Sequence, residues 1–394
     1  MMGPLHGIRV LDLSRVLAGP WAGQVFADLG AEVIKIERPG QGDDTRKWGP
    51  PFVKEDGTSA YFLCANRGKR SVTVDMAKPE GQALIKRLAA QSDVVLENFK
   101  FGGLKKLGLD AETLCAENPR LVYCSITGFG QTGPYRHRAG YDFLMQGMGG
   151  LMSVTGTPEG EPMKAGVAVV DVFTGMYAAT AVLAALLERA RSGKGQHIDL
   201  ALFDVQIATM ANQISSYLVS GEQPPRLGNA HPSIVPYQVF ATLDGHIILA
   251  VGNDEQFARF VALAGAPELA LDTRFATNPA RVANRAVLIP LLETLLLART
   301  TKAWTEALEA AGVPGGPINA FPDLDDDPQV QARGIFKDLG PGLRGVANPM
   351  RFSRTPAEDN RPPPALGADT DDVLTGELGL SPAEIAALRG ADVI

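Results

Sequence analysis

The chain has 394 residues, of which 45% are hydrophobic and 21% charged, an ordinary composition for a globular protein with room for two domains. Its formal net charge of −7 disfavours a nucleic-acid-binding protein, which normally presents a basic face. The three cysteines form no CxxC pair, and the N-terminus lacks the basic start and apolar core of a signal peptide. We therefore expect a cytoplasmic protein without a metal site.

The N-terminal third of the chain alternates short apolar strands with helices. Strands are predicted at "GIRVLDLS", "EVIKIER", "SVTVDM", "DVVLENF" and "LVYCSITG". Helices are predicted at "GPWAGQVFADLGA", "PEGQALIKRLAAQ" and "DAETLCAENP". Because strand–helix–strand units make successive strands parallel, this order predicts a doubly wound α/β domain with a Rossmann-like sheet.

Asp171 interrupts a long apolar run in "KAGVAVVDVFTGMYAATAVLAALLERA". The residues before it suit a buried strand or an extended approach, and residues 172–191 show the spacing of a helix. Two interpretations of this acid stay open. It is either the N-cap of the helix or a nucleophilic carboxylate at the mouth of a pocket, held ionised by the helix dipole. The helix is closed by Glu188 and Arg189, which disfavours a membrane span.

A second region with different patterning follows this helix. The segment "RSGKGQHIDLALFD" predicts a glycine-rich turn and a further strand or helix, and "SGEQPPRLGNAHPSIVP" predicts a linker. The alternation in "YQVFATLDGHIILAVG" predicts a hairpin that turns at Asp-Gly. With helices at 254–264, 284–298 and 301–312, it indicates a smaller α+β domain. The proline-rich stretch "RPPPALGADTDDVL" cannot form one regular element.

Basic residues near the predicted strand ends indicate a phosphate-bearing ligand. The segment "SRVLAGPWAG" lacks the glycine fingerprint of NAD enzymes, whereas Arg38 ends the second strand where a nucleotide phosphate would need a cation. Two more clusters are expected at the ligand-binding edge of the sheet: Arg67, Lys69 and Arg70, and Lys100, Lys105 and Lys106. Charge runs are more often solvated surfaces, but three of them at one edge favour coenzyme A or NADP. The missing fingerprint makes an NADP oxidoreductase the weaker alternative.

Six ordered blocks carry a family resemblance. They are "LDLSRVLAGPWAGQVFADLGAEVIKIERPGQGDDTR", "NRGKRSVTVDM", "VVLENFKFGGLKKLGL", "YCSITGFGQTGPY", "AGYDFLMQGMGGLMSVTG" and "VVDVFTGMYAATAVLAALLERARSGKGQHIDLALFD". Together they resemble the class III CoA-transferases (the formyl-CoA transferase or CaiB–BaiF family), from about residue 5 to "RPPPALGADTDDVL". The segments "GDDTRKWGPPFV", "NAHPSIVPYQVF" and "GNDEQF" look most like the succinate–hydroxymethylglutarate-type members, which use dicarboxylates.

The resemblance implies a homodimer of two interlocked chains. Each chain would have a large Rossmann-like domain built from both ends of the sequence and a smaller α+β domain between them. We therefore expect the first part of the large domain at 1–220, the small domain at 221–325, and a C-terminal segment at 326–394 that returns to the large domain. The family uses coenzyme A as a substrate and no tightly bound cofactor, and neither a nucleic acid nor a membrane is expected as a partner.

The resemblance also implies the site residues. Asp171 occupies the place of the catalytic aspartate, which passes through an aspartyl anhydride and an aspartyl-CoA thioester. The positions that match coenzyme A contacts are Val16, Leu17, Ala18, Arg38, Asn66, Arg67, Gly68, Lys69, Asn98, Phe99, Lys106, Ala139, Gly140, Tyr141 and Asp142. Leu17 replaces a polar residue of formyl-CoA transferase, and Lys106 replaces an arginine. Where that enzyme has a run of glycines, this chain has only Gly252 in "GNDEQF".

The expected substrates are short dicarboxylates, with succinyl-CoA as the donor. The distal carboxylate needs a cation or several N–H donors, and Arg46, Arg138 or His231 could supply them, with Tyr237 in the acceptor pocket. An α-methylacyl-CoA racemase is the main alternative. It is disfavoured because Tyr141, a poor general base at neutral pH, stands where racemases have a histidine. A non-catalytic CoA-binding module stays a third interpretation.

Overall fold

The chain divides into two units in the computed structural model, which describes residues 2–55, 57–340, 342–359 and 361–394. The first unit comprises the residues up to Leu151, Lys164–Ser215 and Gln331–Ile394. The second comprises Met152–Met163 and Ser216–Val330.

The domain assignment of residues 152–163 differs from the prediction, which places this stretch in the large domain. It joins the second unit because Arg226 donates hydrogen bonds to carbonyl oxygens within it, those of Thr157 at 3.3 Å and Gly160 at 2.8 Å.

The strands and helices follow the chain in this order. The strands are β1 (Arg9–Asp12), β2 (Glu32–Glu37), β3 (Arg70–Thr73), β4 (Val94–Glu97), β5 (Val122–Thr127), β6 (His197–Ala201), β7 (Tyr237–Ala241), β8 (His246–Ala250), β9 (Gly315–Pro317), β10 (Phe336–Gly340) and β11 (Leu343–Val346). The α-helices are α1 (Ala18–Asp28), α2 (Ala60–Leu63), α3 (Pro79–Ala90), α4 (Ala111–Glu117), α5 (Asp142–Met148), α6 (Leu151–Val154), α7 (Val169–Ser192), α8 (Leu202–Thr209), α9 (Ala211–Ser220), α10 (Asp254–Leu263), α11 (Asn278–Ala283), α12 (Arg285–Leu296), α13 (Thr301–Ala310), α14 (Pro328–Ala332), α15 (Thr370–Gly376) and α16 (Pro382–Gly390). Short 3-10 helices lie at Asp44–Lys47, Lys105–Leu107, Pro267–Ala270 and Phe321–Leu324.

Six parallel strands form the large sheet of the first unit, in the order β3-β2-β1-β4-β5-β6. In its centre, Leu11 of β1 is in register with Ile34 of β2 and Val95 of β4. The predicted parallel α/β sheet is confirmed. Because the strand order reverses between β1 and β4, a ligand crevice is expected at the carboxyl ends of these two strands.

Helices cover both faces of this sheet, so that nearly every residue of its central strands β1, β2, β4 and β5 is buried. One face packs against α3, α4, α15 and α16, and the other against α1 and α7. A Cβ atom on Gly175 would lie 2.7 Å from the carbonyl oxygen of Ala18, so this glycine allows α7 to approach α1 closely. By length and composition alone α7 could also cross a membrane, but its buried side chains belong to this core.

The second unit contains the predicted hairpin. β7 and β8 pair antiparallel, with Tyr237 opposite Ala250, and β9 extends the sheet along β8. Helices α10, α12 and α13 form within three residues of the predicted boundaries and pack around the fully buried Trp304. The guanidinium of Arg281, also fully buried, donates to the carbonyl oxygens of Val235 and Phe275.

For some segments, the sequence pattern did not predict the element that forms. "RSGKGQHIDLALFD" forms both alternatives, first β6 and then α8. "GVAVV" forms no strand, because α7 already begins at Val169. The elements after residue 330, namely the β10–β11 hairpin, α15 and α16, are short and lie between prolines and glycines, where periodicity is weak.

Candidate active site

A cavity of about 180 Å³ opens at the carboxyl ends of the central strands. Loops that follow β1, β4, β5 and β6 form its wall, together with the first turn of α7. Its lining residues are Arg15, Val16, Leu17, Ala18, Asp44, Asn98, Phe99, Lys100, Phe101, Ile126, Thr127, Gly128, Arg136, Arg138, Ala139, Gly140, Tyr141, Asp171 and Leu202. This is the crevice that the reversal of strand order leads one to expect.

The loop after β1 is held in an unusual conformation. Val16 has φ +70°, a backbone region that β-branched residues rarely adopt. Its N–H group donates to the carboxylate of Asp43 at 3.3 Å, and Asp43 is in turn held at 2.9 Å by the buried ammonium of Lys35. No described side chain caps the N-terminus of α1, and Leu17 and Ala18 line the cavity. The first N–H groups of α1 are therefore available to an anion in the cavity.

Asp171 lies in the first turn of α7 but is not its N-cap. The N-cap position belongs to Ala168, so the first interpretation of Asp171 is wrong. The first turn is capped instead from α5: Oδ1 of Asp142 accepts hydrogen bonds from the N–H groups of Val170 at 2.8 Å and Asp171 at 3.3 Å. A cap from another helix leaves no local signal near the helix that it caps.

The carboxylate of Asp171 is partly buried and accepts no hydrogen bond from the described residues. Burial, and then the negative charge of Asp142, raises the pKa of Asp171 to about 7. The expectation that the helix dipole holds Asp171 ionised is therefore wrong. Asp142 already occupies the N–H groups of the helix terminus and adds a like charge beside it.

Tyr61 is a neighbour of this carboxylate that the sequence analysis missed. Burial, and then the charge of Asp171, raises the pKa of Tyr61 to about 12, so its phenol stays protonated near neutral pH. The exposed ring of Trp48 meets the ring of Tyr61 edge-on, with centroids 5.2 Å apart. Nothing in the sequence pattern around α2 distinguishes Tyr61.

Three arginines line the cavity, and each guanidinium lies over an aromatic ring. Arg15 lies over Phe99 at 5.1 Å, Arg136 over Phe101 at 5.0 Å, and Arg138 over Tyr135 at 4.6 Å. Arg15 also pairs with Asp44 at 3.3 Å. Among the described residues, no carboxylate pairs with Arg136 or Arg138. These two guanidinium groups can therefore bind an anionic ligand, and only Arg138 was singled out from the sequence.

A smaller cavity of about 90 Å³ shares Arg15, Asp44 and Phe99 with the first. Its wall includes Arg38, whose guanidinium donates to Gln41 at 3.2 Å. Residues 74–77, which follow β3, also line this cavity, and the sequence did not predict them there. A long ligand could extend from Asp171 past Phe99 to Arg38.

The cluster from Asn66 to Lys69 is placed differently from the sequence analysis. It precedes β3 and lies at the amino end of that strand, and none of its residues lines either cavity. Lys69 Nζ pairs with Asp12 at 2.9 Å and donates to Asn66, while Arg67 pairs with Asp28 at 2.6 Å. These buried polar groups satisfy one another, so they are not open to a phosphate. Gly68 takes φ +73° in the turn between them.

Other predicted residues also lie outside the two cavities. Arg46 donates from Nε and Nη2 to the two carboxylate oxygens of Glu37, at 2.8 and 2.7 Å, so one edge of its guanidinium is already used within the protein. Lys106 is exposed in a 3-10 helix and lines neither cavity.

The remaining predicted residues belong to the second unit. Nδ1 of His231 accepts from the N–H group of Ser233 at 3.0 Å, and its ring lies 5.3 Å from that of Tyr237. The N–H group of Gly252 donates to Gln256 at 2.7 Å. Within the described parts of the chain, no group of three or more His, Cys, Asp or Glu side chains could hold a metal ion.

Comparison with known proteins gives consistent matches over most of the chain. A family model described as CoA-transferase family III matches residues 5–370. The succinate–glutarate CoA-transferase of Agrobacterium fabrum is 55% identical over 379 residues, which cover 94% of this chain and 95% of that protein. The succinyl-CoA:glutarate CoA-transferase of Mus musculus is 43% identical, with 100% of this chain and 91% of that protein covered. The crystal structure of a CaiB/BaiF family protein from Brucella suis is 52% identical and matches with a TM-score of 0.87, covering 96% of this chain and 100% of that one.

Proposed function

Because the chain belongs to CoA-transferase family III, as its sequence blocks predict, we propose that it moves coenzyme A from succinyl-CoA to a second short dicarboxylate. Glutarate is the first acceptor to test, since two relatives that match nearly the whole chain are named for transfer between succinate and glutarate. One observation carries the proposal. Asp171 is a carboxylate without a hydrogen bond from the described residues, and it shares a cavity with two arginines that lack a carboxylate partner there.

In the first half of the reaction, an oxygen of the Asp171 carboxylate attacks the carbonyl carbon of succinyl-CoA. The oxyanion that forms is stabilised by the free N–H groups at the start of α1. Collapse expels CoA thiolate and leaves a mixed anhydride between Asp171 and succinate. The thiolate then attacks the carbonyl carbon of Asp171, which releases succinate and gives an aspartyl-CoA thioester.

In the second half, the acceptor carboxylate attacks this thioester and again expels CoA thiolate. The new anhydride is opened by the thiolate at the acyl carbon of the acceptor, which yields the new acyl-CoA and restores Asp171. No ATP is needed, because the energy of the donor thioester is retained in each covalent intermediate. A pKa near 7 suits this role, because Asp171 is partly ionised at neutral pH and more basic than an ordinary aspartate.

Coenzyme A is proposed to bind as a substrate along the two adjacent cavities, with its reactive sulfur near Asp171 and its 3′-phosphate near Arg38. Phe99, which lines both cavities, would contact the middle of the ligand. No other cofactor is required by this chemistry. Arg138, with Arg136 beside it, is the proposed partner of the distal carboxylate, because neither guanidinium is paired with a carboxylate in the described structure.

We further propose that the chain acts as a cytoplasmic homodimer. Support comes from exposed apolar side chains on α7, where Phe173, Tyr177 and Leu187 are 47%, 45% and 69% exposed. Exposed apolar side chains along one helix mark a candidate interaction surface, and the resemblance to interlocked dimers makes a second copy its proposed partner. Light scattering after size exclusion should give twice the mass of one chain, and a monomeric mass would contradict this part.

The function is tested with succinyl-CoA and a panel of free acids, with new thioesters identified by mass spectrometry. Transfer to glutarate and other short dicarboxylates is expected. Transfer restricted to monocarboxylates, or to oxalate from formyl-CoA, would contradict the substrate class. Deuterium entering the α-carbon of a branched acyl-CoA without transfer would instead favour the racemase alternative.

A further inference from the structure

We propose that Gln146 is a positioning residue for the transfer reaction: it holds Asp142 against the first turn of α7, so that the carboxylate of Asp171 stays free of hydrogen bonds and beside a like charge. This inference rests on the proposed role of Asp171 as the nucleophile. Gln146 lies one helical turn after Asp142 on α5, and its side chain is fully buried.

Both ends of the Gln146 amide are used. Nε2 donates to Oδ2 of Asp142 at 2.6 Å, and Oε1 accepts from the N–H group of Ala165 at 2.8 Å. A carboxylate can only accept and an N–H group can only donate, so these two partners fix the orientation of the amide. Gln146 therefore connects α5 to the segment that leads into α7.

Asp142 is held through both of its oxygens. Oδ2 takes the bond from Gln146, while Oδ1 takes the two bonds from the N–H groups of Val170 and Asp171. No cation pairs with Asp142 among the described residues, so N–H donors alone stabilise its negative charge. Without Gln146, Oδ2 of the partly buried Asp142 would lose the N–H donor that stabilises its negative charge.

The consequence for Asp171 follows from this arrangement. An aspartate in the first turn of a helix commonly turns back to bond the free N–H groups of the terminus. Here Asp142 already occupies them, so Asp171 has no such partner and its carboxylate remains at the cavity. The charge of Asp142 also makes Asp171 more basic, which strengthens it as a nucleophile.

Few other groups near Asp171 change charge near neutral pH. Tyr61, on α2, stays protonated, and burial raises the pKa of the Cys64 thiol that follows it. The cavity wall also holds the guanidinium groups of Arg15, Arg136 and Arg138 and the side chains of Lys100 and Tyr141. Asp44, which is exposed and paired with Arg15, is the remaining acid of the cavity wall. A shift in the titration of Asp171 therefore reports on Asp142.

Two variants separate this role from simple packing. Gln146→Leu removes both hydrogen bonds at similar volume. Gln146→Glu keeps an acceptor for the N–H group of Ala165 but, when ionised, loses the donor to Asp142. The matched control is Gln206→Leu, because Gln206 is a buried amide on α8 of the same unit that donates only to the sulfur of Met210 in the described structure.

The first readout needs no substrate. Carbodiimide labels protonated carboxyl groups, so labelling of Asp171 across a pH series, read by peptide mass spectrometry, gives its titration midpoint. We expect a midpoint near 7 in the unmodified chain and in Gln206→Leu. In Gln146→Leu it should fall by about half a unit or more, because Asp142 loses a donor to its charge, whereas in Gln146→Glu a further negative charge near Asp171 should raise it.

The second readout is transfer from succinyl-CoA. Both Gln146 variants should lose about ten- to a hundredfold in kcat, the effect of one hydrogen bond to a charged group, while KM for succinyl-CoA changes less than about threefold. If Gln146→Leu does not fold, the labelling midpoint and the kcat of Gln146→Glu test the proposal by themselves. A labelling midpoint and a kcat equal to those of Gln206→Leu would overturn the proposal. If the unmodified chain transfers no coenzyme A, the proposed function fails, whereas the labelling midpoints still decide whether Gln146 controls Asp171.

Discussion

Oδ1 of Asp142 accepts the backbone N–H group of Asp171 at 3.3 Å, so two carboxylates meet at the first turn of one helix. One serves as the cap of α7, and the other is left without a hydrogen-bond partner among the described residues. The arrangement makes Asp171 an unusually basic aspartate, because burial and the neighbouring charge both favour its protonated form.

Replacing the proposed nucleophile should abolish the reaction but not the binding of coenzyme A. Asp171→Asn and Asp171→Ala should reduce transfer by at least about a thousandfold, because no covalent intermediate can form. Hydroxylamine should inactivate the unmodified chain only when an acyl-CoA donor is present. Asp204→Asn, which changes an exposed acid on α8, is the control. Transfer retained in either Asp171 variant would exclude covalent catalysis through this residue.

The pH dependence of transfer should follow the ionisation of Asp171. The carboxylate attacks only when ionised, so kcat/KM for succinyl-CoA should be lost as the pH falls through about 7. Asp142→Asn removes the like charge but not the burial, which is the larger cause, so the acid limb should move down only in part, by about half a unit or more. Stopped assays from about pH 3.5 to 9 measure the acid limb in both chains. An acid limb near pH 4 in the unmodified chain would contradict a raised pKa.

The same pKa predicts how stability depends on pH. The pKa of Asp171 is about 7 in the folded chain against an ordinary 3.8, so the folded chain binds this proton more tightly than the unfolded chain. This carboxylate therefore lowers stability progressively as the pH rises from about 4 to about 7. Asp171→Asn should raise the free energy of unfolding by roughly 2–4 kcal/mol at pH 8 and change it little at pH 4. Urea denaturation at the two pH values measures this, and an equal difference at both would refute the linkage.

Arg38 should recognise the 3′-phosphate of coenzyme A. Arg38→Ala should weaken coenzyme A about ten- to a hundredfold and leave 3′-dephospho-CoA nearly unchanged, since the lost contact is to that phosphate. Arg38→Lys should recover part of the affinity, because lysine keeps the charge but not the fork. Calorimetric titration of both ligands is the measurement. Equal weakening of the two would assign Arg38 to another part of the ligand.

Arg138 should bind the distal carboxylate of the acceptor. Arg138→Ala should raise KM for dicarboxylate acceptors about tenfold or more and affect monocarboxylate acceptors much less. Arg46→Ala is the informative comparison, because Arg46 is engaged with Glu37: it should lower the melting temperature with little change in acceptor preference. If the two variants exchanged these effects, the distal carboxylate would belong to Arg46.

Several parts of this description were accessible from the sequence alone. The alternation of strands and helices predicted the parallel sheet, because hydrophobic period and turn residues act over a few neighbouring positions. The rule that ligands bind at the carboxyl ends of such strands predicted a site near the segment after β4, whereas the positions after β1 were implied by the family resemblance. The residue blocks predicted the family, and with it the place of Asp171.

Only the tertiary structure decided what surrounds each of these residues. Nζ of Lys69 donates to Asp12, 57 positions earlier. A basic cluster that looks like a phosphate site in the sequence therefore makes its contacts within the protein. Asp142 caps a helix that begins 27 residues after it, and Gln146 holds Asp142 from the next turn of α5. Burial and charge act through space rather than along the chain. The pKa of Asp171 therefore depends on segments whose proximity no local pattern records.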